Sequence, residues 1–264
     1  MLADEVTIVV TSCKAYEDVR EIFDKLFVKH WGQCACKKIL VVDELGEDYN
    51  KNLYDKVISL GKDAQGIGNG IRVTKGVEAV ETEYTILLQE DFLLYSAVNE
   101  ELLEKLLCIA KRNNAGNVRF ELSPNTDTKL DGESKIMEYS KGMAYRLAMQ
   151  PGIWKTDYLY KCFKPYRNGA EFERYGSFDS CKYEEKVLGY DGCAFPYFDA
   201  ISKGMWNQEY LRILLYNDIC PDFSIHPKMS EKQKLINDLK GYIISINPKL
   251  VVKLQNILNV GKKY

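Results

Sequence analysis

An α/β domain with a mostly parallel central sheet flanked by helices is predicted by three observations. Short β-branched runs recur through the first half of the chain, segments of helical period separate them, and the runs stop at polar or acidic residues. Val6-Thr-Ile-Val-Val10 is the first run, interrupted only by Thr7 and closed by Thr11-Ser12-Cys13. A strand buried on both faces has this nearly continuous apolar character. Over 16–31 the apolar residues Val19, Ile22, Phe23, Leu26 and Phe27 recur at helical spacing, and Lys38-Ile-Leu-Val-Val42 then forms a second run that stops at Asp43-Glu44. Strand, helix and strand in this order make a βαβ unit with parallel strands and a right-handed crossover.

A third apolar segment over 57–60 precedes a glycine-rich stretch (Gly61, Gly66, Gly68, Gly70), and 72–80 reads as a helix. Tyr84-Thr-Ile-Leu-Leu88 is the next strand, closed by Gln89-Glu90-Asp91. The acids therefore fall beyond the carboxyl ends of parallel strands, where open α/β sheets bind ligands. A helix over 99–111, a strand over 117–122 and a polar surface loop over 123–134 follow. The pattern then becomes irregular, with a helix near 156–163 and the segment Glu171-Phe-Glu-Arg-Tyr-Gly-Ser177. From Lys228 onward eight lysines face only Glu231 and Asp238, a surplus of six positive charges. Leu235, Leu239, Tyr242, Ile243 and Ile246 make one helical stripe there. After Asn247 as cap and Pro248 at the first helical position, Leu250, Val251, Leu254, Ile257 and Leu258 make another. The expected division is a domain over 1–227 and a basic amphipathic helical extension over 228–264.

Composition narrows the chemistry. The 264 residues carry 36 Lys and Arg against 38 Asp and Glu, a net charge of −2, which argues against a nucleic-acid partner. Only His30 and His226 are present, so chemistry needing a histidine cluster is excluded and the burden shifts to carboxylates. The eight cysteines include one CxC and no CxxC, which fits reduced, partly buried thiols better than disulfides or zinc. No long apolar run and no leader-like amino terminus occur, so a cytoplasmic protein is expected.

Val6 to Asp43, Arg72-Val-Thr-Lys-Gly-Val-Glu-Ala-Val-Glu-Thr-Glu-Tyr-Thr-Ile-Leu-Leu-Gln-Glu-Asp-Phe, Gln150-Pro-Gly-Ile-Trp154, Glu171-Phe-Glu173 with Gly176-Ser177, and Tyr197-Phe-Asp-Ala-Ile-Ser-Lys-Gly-Met-Trp206 together resemble nucleotide-sugar-dependent glycosyltransferases of the GT-A fold. The similarity is to family 2-like enzymes of bacterial capsule and lipopolysaccharide synthesis, over roughly residues 5–206. It implies that Thr11 and Asp43, with the adjoining Ser12, hold the nucleotide base and ribose, and that Arg72 touches the nucleotide or its phosphates. Glu90 would lie beside the ribose or a metal-bound water, and Asp91 would ligate Mn²⁺ or Mg²⁺, with His226 as the late histidine that completes some metal sites of this fold. The family's usual acidic motif is Asp-x-Asp or Asp-Asp, whereas Glu90 here replaces one Asp and Phe92 takes the third place.

The implied reaction is attack of an acceptor hydroxyl on the anomeric carbon of a nucleoside-diphosphate sugar, UDP-linked in the first instance, with inversion. One carboxylate must take the hydroxyl proton while positive charge holds the leaving diphosphate. Glu171 and Glu173 are the candidates for the base; two residues apart on a helical turn they point differently, and the resemblance favours Glu171. Trp154, Trp206 and Tyr145 are equally suited to stacking on sugar rings and to packing the core. The glycine-rich stretch does not match a phosphate-binding fingerprint and reads as a flexible loop over the donor. The basic tail suits an interfacial helix at the inner face of an anionic membrane, bringing the enzyme to a lipid-linked glycan acceptor. The same stripe would serve against the catalytic domain or a second copy in a homo-oligomer. Two further readings are a sugar-1-phosphate nucleotidyltransferase, which calls for a Gly-rich, Arg-containing loop after the first strand that Thr11-Ser-Cys-Lys-Ala15 is not, and a non-catalytic nucleotide or glycan binder.

Overall fold

The computed structural model describes residues 1–46 and 49–246. A short opening helix α1 (Leu2–Glu5) leads into β1 (Val6–Thr11), α2 (Glu17–Trp31), β2 (Lys37–Val42), β3 (Lys56–Ser59), α3 (Gly70–Glu78) and β4 (Tyr84–Gln89). Next come β5 (Phe92–Leu94), α4 (Glu100–Arg112), β6 (Ala115–Arg119), β7 (Ile136–Glu138), β8 (Gly152–Lys155) and α5 (Thr156–Phe163). Helix α6 (Gly169–Glu171), a π-helical turn (Phe172–Gly176) and α7 (Ser177–Asp179) run on without a break. The remaining elements are β9 (Lys186–Tyr190), β10 (Tyr197–Asp199), β11 (Ile201–Ser202), β12 (Met205–Trp206), α8 (Leu211–Tyr216) and α9 (Glu231–Ile246).

Eight strands form one sheet in the order β3-β2-β1-β4-β8-β6-β9-β7. The first four are mutually parallel, with Val9 opposite Ile39 on one side and Leu87 on the other. Strand β8 runs antiparallel between β4 and β6, β9 is parallel to β6, and β7 closes the edge antiparallel. This is the mostly parallel, Rossmann-like sheet flanked by helices that the sequence predicts. Val6, Ile8 and Val10 pack with Phe23, Leu26, Leu103 and Leu106 of α2 and α4. Val9, Ile39 and Leu87 face Val73, Val77, Leu159 and Phe163 of α3 and α5. Alternation along the central strands β1 and β4 feeds a hydrophobic layer on either side.

Chain connection proceeds outward from β1 to β2 and β3, then returns to place β4 on the opposite flank of β1. The winding therefore reverses between β1 and β4, and a crevice opens beyond their carboxyl ends. Immediately after β4 the chain turns into β5, which pairs with β10 so that Phe92 stands opposite Asp199.

Trp154 and Trp206 are fully buried, and Trp154 packs on Tyr158 and Phe172; both are core residues with no ring face open to a sugar. The glycine-rich stretch is likewise not a free loop at its far end. The Gly70 amide donates to the Arg167 carbonyl at 2.8 Å, and a Cβ on Gly70 would lie 2.4 Å from the Tyr166 carbonyl oxygen. These glycines let two backbones touch. At the carboxyl end, the Trp206 amide donates to the Pro227 carbonyl at 2.9 Å and the amide of the buried Met229 donates to the Trp206 carbonyl at 3.0 Å, before α9 begins at Glu231. Leu235 and Leu239 of α9 are 70% and 57% exposed, while the stripe proposed beyond Asn247 lies outside the described residues. No described helix is long and apolar enough to cross a membrane.

Candidate active site

The crevice at the β1/β4 reversal gathers most of the residues singled out from the sequence. Thr11 ends β1, Ser12 follows it, and both are buried; the Ser12 amide donates to the Val41 carbonyl at 2.9 Å, while its hydroxyl has no hydrogen-bond partner. Asp43, just past β2, accepts from the amides of Lys14 and Glu44 through the same carboxylate oxygen, at 2.7 Å each. It thereby ties the β1 and β2 exits together. Arg72 lies in the first turn of α3 with a buried Nε that has no partner, and its charge acts on both Glu90 and Cys13.

Glu90 and Asp91 are both half-buried. Burial pushes the Glu90 carboxyl up to about 7, opposed by Arg72 and Arg20 and assisted by Asp43. Burial, and then the neighbouring Glu90, push Asp91 up to about 8. One oxygen of Asp91, Oδ1, is buried without a hydrogen-bond partner. Opposite stands Asp199, the last residue of β10, placed there because the Ala200 amide donates to the Asp91 carbonyl at 2.9 Å. Its carboxyl is pushed up to about 8 by the surrounding protein, by Asp91 and by Glu173.

Glu173 sits in the π-helical turn. Its Oε1 accepts from the Met149 amide at 2.8 Å; burial raises its proton affinity, and the Met149 bond and the Arg119 charge oppose that rise. Glu171 is employed elsewhere: Oε2 accepts from the Arg167 amide at 3.1 Å and Oε1 from the Arg167 guanidinium at 3.2 Å. Of the two glutamates, Glu173 is the one whose charge acts on Asp199. His226 is also otherwise engaged. It is 6% exposed, its Nδ1 lies 3.1 Å from Asp18, and its ring rests 4.7 Å from that of Tyr16. Tyr16 in turn faces Glu90 and Asp91, which with burial raise its proton affinity. Among the described residues no three His, Cys, Asp or Glu side chains converge as a ready metal cage.

Sequence reasoning missed Asp199, Asn69 and the Tyr197 cluster. Asn69 precedes α3, accepts from the Gly169 amide at 2.9 Å and lies 3.4 Å from Gln89. The Tyr197 hydroxyl donates to Glu121 at 2.7 Å and is bonded to Gln150. Asp199 obeys the same rule that exposed Asp91, an acid at a strand end, but its strand has only three residues and leaves no periodic trace. All eight cysteines are free, and three of them are buried.

No protein-family model matches this sequence, and no curated protein matches it. Among solved structures the chain is similar to Staphylococcus aureus TarS, with a TM-score of 0.49 and 11% identity over 80% of this chain and 38% of that one. The chain therefore spans well under two thirds of that protein. It is also similar to residues 1–349 of TarS in complex with UDP-GlcNAc (TM-score 0.48, 12% identity, 73% of this chain and 57% of that one). A third likeness is to 2-C-methyl-D-erythritol 4-phosphate cytidylyltransferase from Thermus thermophilus (TM-score 0.48, 14% identity, 81% of this chain and 100% of that one).

Proposed function

We propose that this protein is a nucleotide-sugar-dependent glycosyltransferase that inverts the anomeric centre, with a glycan acceptor. The observation that supports this reading above the others is a set of carboxylates in one electrostatic field beyond the β1/β4 reversal: Asp199 feels Asp91 and Glu173, and Glu90, next to Asp91, feels Arg72. In this reading the nucleoside sits at Thr11, Ser12 and Asp43. The acids lie where the diphosphate and sugar would follow.

The acceptor hydroxyl attacks the anomeric carbon while Glu173 takes its proton, and the bond from that carbon to the diphosphate oxygen breaks. A base is most effective when its proton affinity lies near the working pH, and burial moves Glu173 in that direction. Arg72, with its unpartnered Nε, holds the departing diphosphate. A diphosphate entering a cleft of carboxylates would be repelled without further positive charge. Asp91 and Asp199 suit a hard divalent cation, since both offer oxygen ligands and Asp91 Oδ1 has no other partner. Such a cation, when bound, neutralises charge on the leaving group.

The test is thermal shift and product analysis with UDP-, GDP- and dTDP-sugars in the presence of Mn²⁺. A shift with one of them, and transfer to a glycan abolished by E173Q, is expected. No shift and no hydrolysis with any of the three would overturn donor binding. Release of pyrophosphate from a nucleoside triphosphate and a sugar phosphate would replace the transferase reading with nucleotidyl transfer, and donor binding without turnover would leave a binder.

A further inference from the structure

Arg119, the last residue of β6, is fully buried, yet every hydrogen bond it makes is to a neutral acceptor. Nη1 donates to the Ser123 carbonyl at 2.5 Å, and Nη2 donates to the carbonyls of Tyr145, at 2.8 Å, and Arg146. Nε has no partner, and the guanidinium lies 4.0 Å from the centre of the Tyr139 ring. Arg146 is buried in the same manner. It donates to the carbonyls of Tyr139 at 3.1 Å and Glu185 at 3.0 Å, and to the hydroxyls of Ser180 at 2.7 Å and Tyr158 at 3.2 Å. A buried charge without a bonded counterion is costly and is expected to have a carboxylate in its field. For Arg119 that carboxylate is Glu173.

The segment over 145–149 links the two. On one side its carbonyls are held by Arg119. On the other its amides hold the turn that carries Glu173, with Met149 donating to Glu173 Oε1 at 2.8 Å and Leu147 donating to Ser177 Oγ at 3.0 Å. Ser177 in turn donates to the Glu173 carbonyl at 2.5 Å. Thus a guanidinium, a short backbone segment and a carboxylate form one chain of contacts ending at Glu173.

We propose that Arg119 is a positioning residue for Glu173: it fixes the 145–149 backbone so that the Met149 amide orients the carboxylate, and it supplies the positive charge that carboxylate faces. The proposal rests on the reading of Glu173 as the base. A residue acting only on the base's orientation changes turnover and leaves donor binding alone. R119M is expected to lower kcat 10- to 100-fold with the donor KM changed less than about twofold. R119K keeps the charge and loses the fork that spans two carbonyls, so it recovers part of that kcat.

A second measurement needs no activity. Urea midpoints of wild type, R119M, E173Q and the double variant form a cycle, in which E173Q is expected to cost less in the R119M background, because the ionised glutamate has already lost its cation. If R119M does not fold, R119K takes its place in the cycle, with a smaller coupling of the same sign. Additive midpoint losses, or kcat and KM that change together, overturn the proposal. Should the wild type turn over no nucleotide sugar while the cycle is non-additive, the pairing stands and the assigned reaction falls.

Discussion

Glu171 and Glu173 differ by two residues and by nearly everything else. The first is pulled back onto Arg167, whose side chain is largely in solvent, and the second is drawn inward to the Met149 amide. E173Q is expected to lower kcat by about 10²- to 10⁴-fold, the range that positioned proton transfer supplies. E171Q should remain within about fivefold, since an exposed ion pair accounts for no more than that; steady-state kinetics of the two variants separates them. The acids also predict a pH dependence. Asp91 holds its proton to about 8, whereas an unfolded chain gives it up near 3.8. Between those values the native state binds more protons than the unfolded state, so stability falls as pH rises. The metal-free protein is expected to melt at progressively lower temperature from about pH 5 to about pH 8, and D91N should flatten that slope in differential scanning fluorimetry. Asp91 was legible in sequence because an acid closing a long apolar strand is a strong local signal. Asp199 was not, since its position depends on pairing with β5 more than 100 residues earlier.

At the scale of elements, α3 carries Arg72 to the crevice, and its placement depends on the glycines before it. The Gly70 backbone touches the carbonyls of Tyr166 and Arg167, so G70A meets backbone atoms that cannot swing aside. A loss of about 1–3 kcal/mol is expected in denaturant unfolding, together with a raised donor KM as Arg72 is displaced. Elements with a clear period were readable from sequence: α2 is expected over 16–31 and spans Glu17–Trp31, and the helix expected from 99 spans Glu100–Arg112 with Asn99 accepting from the Leu102 amide at 3.1 Å. The π-helical turn was unreadable. Its extra residue per turn follows from how Phe172 packs between Phe163 and Trp154 while Glu173 meets Met149, contacts that no periodicity records.

At the scale of the whole molecule, the near-neutral net charge conceals unlike parts. The eight lysines beyond residue 227 leave an acidic body, and its most crowded carboxylates lie in one crevice. Cation binding is therefore expected to be coupled to stability. Mn²⁺ alone should raise the melting temperature more at pH 8 than at pH 6, a matching nucleotide sugar should add to the shift, and D91N should remove the cation's share. Local chemistry alone settled the α/β class, the succession of strands and the acids at strand ends, because apolar periodicity and burial on both faces are properties of neighbouring residues. Which carboxylates share a field, which glutamate bonds to Arg167 and which to Met149, and that Trp154 and Trp206 fill the core were decided only when distant segments packed. Charge-charge fields and close backbone contacts act across space, and sequence separation does not encode them.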